Sequence, residues 1–117
     1  MKMYILMLDT VPDAFAPVMS AHSSLMCYDR FRADKDMIIW FHNSFKKVVC
    51  RVSQKEFDRA LEVGNKYVLT TESNLDGMVC SATFCPRLKE DWPEDFRYFR
   101  LWSPNFRGRN FVEGTSV

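Results

Sequence analysis

The chain has 117 residues, with sixteen basic against fifteen acidic side chains and a formal charge of +1. That length makes one domain, able to bury roughly two-thirds of its unfolded surface without help from disulfides or metals. The near-zero charge excludes recruitment of a polyanion by a uniform positive field, so any contact with nucleic acid has to be local.

Ile5 to Leu8 is a short continuous apolar run, the pattern of a strand covered on both faces. Asp9 to Asp13 supplies turn and cap residues. A helix is predicted from about Phe15, because Pro17 then sits in the first turn, where its missing N–H has no intrahelical partner. Val18, Ala21, Leu25 and Tyr28 form the stripe predicted to be its buried face, and His22 lies beside that stripe among small residues. Asp34 is predicted to cap a second helix through about Asn43, too rich in Met, Ile, Trp and Phe to be fully exposed.

Lys47 to Val52 is a β-branched run and predicts a strand. Ser53 and Glu56 have the spacing of a capping box that opens a third helix, from about Gln54 to Val63, with Phe57, Ala60 and Leu61 turned inward. Gly64 stands where a left-handed C-terminal cap is needed. Tyr67 to Thr71 and Met78 to Phe84 read as an antiparallel hairpin around the Asn74 to Gly77 turn. Pro86 ends the last strand, Glu94 to Leu101 has the spacing of a short terminal helix, and residues 103–117 are expected to form a loosely ordered tail. The order β-α-α-β-α-β-β-α predicts an α/β chain, a single-domain three-layer sandwich over residues 1–117: a small mixed four-stranded sheet with helices on both faces.

Cys27, Cys50, Cys80 and Cys85 all lie inside apolar patterns with no CxxC or metal spacing, and read as reduced core thiols of an intracellular protein. No apolar run is long enough to span a bilayer, and the N-terminus lacks the pattern of a signal peptide, so the expected location is cytoplasmic with no membrane partner. There is no Walker loop, dinucleotide fingerprint, metal-binding histidine pair or nucleophile elbow; no metal and no cofactor is expected. Basic residues gather around Lys46, Lys47 and Arg51, and again as Arg97, Arg100, Arg107 and Arg109 among Phe96, Tyr98, Phe99, Trp102 and Phe106. Such a tail can stack on bases and hold phosphates, or it can pack its aromatics inward and leave the arginines in water; the demand for burial favours the second.

The segment from His22 to Tyr28, HSSLMCY, resembles a helix segment of the second class of peptidyl-tRNA hydrolase, the type first associated with archaea and eukaryotes. SFKKVVCRVSQKEFDRAL, from Ser44 to Leu61, is similar to that family's strand and acidic helix start, and VCSATFCP, from Val79 to Pro86, to its last strand. The resemblance runs from Tyr4 to about Trp102 and implies the family's fold. It implies the activity less directly. The family's Lys-Gly-Lys signature is replaced here by Asp13-Ala14-Phe15, and a carboxylate at a helix start repels the phosphate that a lysine would hold. The family's Asp-Ala-Gly-x-Thr segment falls at Thr71 to Asp76, with Glu72 in place of the aspartate and Ser73 supplying a hydroxyl.

Two functions follow from these residues. The first is a divergent peptidyl-tRNA hydrolase, with His22 as general base for water attacking an ester carbonyl and Glu72 or Asp9 as its carboxylate. Thr10, Asp13, Thr71, Ser73, Arg97 and Arg100 are then the candidate substrate contacts, several of them at the carboxyl ends of strands, where open α/β sheets bind ligands. The second is a catalytically silent member of the fold that binds tRNA or another RNA, a nucleotide, or a protein partner, including a second copy of itself. For His22 alone, packing at a helix–sheet seam is the competing structural role.

Overall fold

A computed structural model of the chain describes residues 1–103. Five strands form one mixed sheet in the order β3-β4-β1-β2-β5: β1 is Lys2–Leu8, β2 Lys46–Val52, β3 Tyr67–Glu72, β4 Met78–Phe84 and β5 Arg100–Leu101. Three helices accompany it: α1 Ala16–Phe31, α2 Lys35–His42 and α3 Gln54–Ala60. β1 is central, and every residue from Met3 to Leu8 is buried, as its unbroken apolar run requires. It pairs in parallel with β2, from Lys2 opposite Lys46 to Leu8 opposite Val52, and antiparallel with β4, where Met7 faces Ser81.

Residues paired across strands share a face, and alternate residues along a strand do not. Met7, Ser81 and Thr70 form one row of side chains, and α1 lies over it, with Ser23 hydrogen-bonded to Ser81 at 2.6 Å and to Thr70 at 3.3 Å. Tyr4 and Phe84 point the other way, where Phe96 meets both rings edge-on at 5.1 and 5.4 Å. α3 is on this second side, since its Ala60 lines one groove with Phe96 and it packs on β1 and β2. Helices therefore cover both faces of the sheet.

The local signals act as their chemistry dictates. Ser53 Oγ accepts from the Glu56 N–H while the Glu56 carboxylate accepts from the Ser53 N–H, a complete capping box. Gly64 ends that stretch at φ +85°, in the left-handed region where a Cβ is costly. Pro17 falls in the first turn of α1, just after a tight turn at Asp13–Phe15. Asp34 caps α2 by accepting from the Asp36 and Met37 N–H groups, and it also binds Arg87 at 3.0 Å and Lys66 at 2.9 Å. One carboxylate thus ties the start of α2 to the chain leaving β4.

Three expectations are corrected. The sheet has five strands, not four, because the helix expected over Glu94 to Leu101 is only a short 3₁₀ helix, Glu94–Tyr98, and Arg100–Leu101 instead pairs antiparallel with Cys50 and Arg51. The edge of β2 carries backbone groups that need partners, and β5 and the Trp102 N–H, which donates to Val49 O at 2.8 Å, supply them. The element order accordingly ends in a strand. The buried face of α1 is Ala16, Met19, Ser23 and Cys27, while Val18 and Leu25 are 50% and 69% exposed. A serine anchors that face through hydroxyl partners on the sheet, so hydrophobicity alone points to the wrong stripe. The expected tail, with Phe106, Arg107 and Arg109, lies outside the described residues apart from Ser103.

Candidate ligand site

The predicted catalytic groups sit at one end of the sheet without meeting. β3 runs parallel to β1, so Thr71, Glu72 and Ser73 emerge at the same end as Asp9 and Thr10, with β4 between them and a separation of about 10 Å. Asp9 and Thr10 are exposed, and the Asp9 N–H donates to Val52 O at 2.8 Å, which fixes the turn to the end of β2. Glu72 Oε2 accepts from the Asn74 N–H at 2.9 Å, so this carboxylate caps its own turn. Thr71 and Ser73 are exposed. His22 is exposed on α1, and its side chain forms no hydrogen bond or ion pair among the described residues, with Glu72 and Asp9 included.

Asp13, at the helix start, faces a cation of the protein itself. Its Oδ1 is 3.1 Å from Arg51 Nη2, and the Arg51 guanidinium lies 3.7 Å from the centre of the Trp102 ring and donates to Ser103 O at 2.8 Å. Arg51 is committed on three sides, and the arrangement locks β5 onto the end of β2. It offers no phosphate site at the start of α1.

A concave site occurs elsewhere, at the amino ends of β1 and β2 on the face opposite α1. Seven residues of α3 reach about 10 Å along the sheet, whereas the seven of β2 extend about 23 Å. The helix therefore leaves the starts of both strands to be covered by residues 88–99, and a cavity of about 430 Å³ remains between them. Tyr4, Trp92, Phe96 and Phe99 line it with aromatic rings, Trp92 stacked on Phe96 at 5.1 Å.

Four cations also line it: Lys2, Lys46, Lys89 and Arg97. Lys2 and Lys46 are register partners on neighbouring strands, so their side chains leave the same face side by side. All four are exposed, and none forms an ion pair among the described residues. Among the described residues no Asp or Glu lines the cavity. Burial raises the Tyr4 phenol above its usual range, with Cys50 adding to the rise and Arg97 opposing it; burial pushes the Cys50 thiol up to about 11. The floor is therefore neutral at pH 7 and the positive charge comes from the rim.

Of the predicted substrate contacts, Arg97 belongs to this cavity; Arg100 pairs with Arg51 on β5 and faces the α1 side. Sequence reasoning passed over Lys2, Lys89 and Tyr4. The signal present in the sequence was a lysine opening each of two strands, Lys2 and Lys46, which parallel pairing in register turns into neighbours.

The four thiols are buried and free, and burial holds Cys27 at about 12 and Cys85 at about 11, which makes them poor nucleophiles at neutral pH. Among the described residues no group of His, Cys, Asp and Glu is placed to hold a metal ion, and no helix is long and apolar enough to cross a membrane. No family model matches the chain, and no curated protein matches it.

Proposed function

We propose that the protein is a binding module for a base-bearing polyanion, RNA or a nucleotide, on a scaffold that resembles peptidyl-tRNA hydrolases of the second class, and that it does not itself hydrolyse. The observation that carries this reading is the convergence on one aromatic-walled cavity of four cations that have no ion-pair partner among the described residues. Cations hold phosphate and rings stack on bases, which is the chemistry of sequence-tolerant nucleic-acid binding. General base catalysis, by contrast, asks for a base held by an orienting partner, and His22 has none among the described residues.

The test is titration of a short fluorescent single-stranded RNA into the protein at several salt concentrations. The reading expects saturable binding that weakens with salt, with log K falling by about 0.7 per neutralised phosphate for each log unit of salt. Absence of binding at low salt would sink it.

One observation favours the hydrolase reading: His22 is exposed and open to an incoming ester. Release of peptide from a peptidyl-tRNA by the wild type but not by His22→Ala would establish it and displace the silent module.

A further inference from the structure

We infer that the cavity at the starts of β1 and β2 is a site for one nucleoside monophosphate, its phosphate held by Lys2 and Lys46 and its base set against the Trp92 and Phe96 wall. The inference rests on the binding reading above and narrows it from polyanions in general to a single nucleotide.

Three observations carry it. The first is size: a cavity of about 430 Å³ is in the range that encloses one small ligand and not a run of nucleotides. The second is Tyr4, which lines the cavity and whose hydroxyl has no hydrogen-bond partner among the described residues. That hydroxyl can donate to a phosphate or ribose oxygen. The third is the charge pattern. Lys2 and Lys46 stand on adjacent strands, about 4.8 Å apart at the backbone, close enough for both ammonium groups to reach one phosphate. Lys89 and Arg97 come from the opposite, covering segment.

The same lining favours a monophosphate over a triphosphate. Triphosphates bind with a magnesium ion, which proteins hold through carboxylates. Here the lining has cations on both sides and, among the described residues, no carboxylate. A monophosphate dianion matches such a site without an accompanying metal.

The experiment is calorimetric titration of the full chain with AMP, with adenosine, with inorganic phosphate, with magnesium ATP, and with an eight-nucleotide RNA carrying either a 5′-phosphate or a 5′-hydroxyl. The inference expects AMP to bind at least about tenfold more tightly than adenosine or phosphate alone, because both halves of the site are then filled. The Lys2→Ala/Lys46→Ala double variant, altered only at exposed positions, should lose about tenfold or more in AMP affinity with its melting temperature unchanged, and Tyr4→Phe should lose a few-fold. Equal binding of both RNAs with no binding of AMP would overturn the nucleotide site and leave the RNA-binding module standing. Tighter capture of the 5′-phosphorylated RNA than of AMP would overturn the free nucleotide as the source and assign the same phosphate chemistry to an RNA end. No binding of any of these would overturn both readings.

Discussion

The Ser23 hydroxyl of α1 lies 2.6 Å from the Ser81 hydroxyl of β4, deep in the helix–sheet interface; it donates to the Met19 carbonyl and is also hydrogen-bonded to the Thr70 hydroxyl. All three hydroxyl residues are at most 3% exposed. Their mutual bonding sets the position of α1 on the sheet, since a shift of one residue along the helix would strand buried hydroxyls. Ser23→Ala is expected to cost about 1–2 kcal/mol in urea unfolding, while Leu25→Ala, at an exposed position, should stay within about 0.5 kcal/mol. The reverse ranking would mean that the apolar stripe, and not the serine face, is the one in contact with the sheet.

That interface marks where the sequence could be read and where it could not. Caps and turns are local chemistry, so Asp34, the Ser53–Glu56 pair and Gly64 announce their elements within a few residues. The face of α1 depends on partners 47 and 58 residues away, which no helical periodicity contains. β5 is two residues long and owes its existence to the open edge of β2, so its own sequence has no strand signal. The crevice expected at the carboxyl ends holds Asp9, Thr10 and Glu72 as turn residues. The cavity instead lies at the amino ends, because α3 is too short to cover β2, and the combination of a helix length with a strand register is a tertiary property.

Asp34 gives the fold an acid-sensitive joint. Burial alone would raise its carboxyl, but hydrogen bonds from Lys66, Arg87 and the Met37 N–H outweigh that and hold it well below the usual carboxylate range. A depressed folded pKa adds stability above the unfolded value, about 3.9, and that stability is lost as pH falls toward the folded value. Asp34→Asn is therefore expected to cost about 2–3 kcal/mol near pH 7, leaving the Arg87 guanidinium short of a partner, and the gap to wild type should narrow below about pH 4. A gap independent of pH, followed by thermal melts from pH 7 to pH 3, would show that Asp34 titrates alike in the folded and unfolded chains and gains nothing from Lys66 and Arg87.

The buried thiols predict the opposite limb. Burial raises Cys27 to about 12 and Cys50 and Cys85 to about 11, so in alkali the unfolded chain loses these protons before the native state does. Stability is fully present below the unfolded thiol pKa, about 8.5, and declines as pH rises above it, by up to about 1.4 kcal/mol per pH unit for each thiol. Native protein at pH 8 should also label slowly with a thiol reagent, at a rate set by opening of the core. Rapid labelling of Cys27 without unfolding would contradict its place on the buried face of α1.

Arg97 and Arg100 separate the cavity from the general charge of the C-terminal segment. They are three residues apart and both exposed, yet Arg97 lines the cavity while Arg100 sits on β5 opposite Arg51, on the α1 face. If binding is local to the cavity, Arg97→Ala should weaken capture of single-stranded RNA and reduce its salt slope by roughly one phosphate's worth, and Arg100→Ala should change neither by more than about twofold. If the arginine-rich segment acts instead as a diffuse cationic surface, the two variants will lose affinity equally, because at that range only charge number counts. Parallel salt titrations of the two variants against wild type distinguish these cases, and equal losses would move the binding site away from Tyr4 and the starts of β1 and β2.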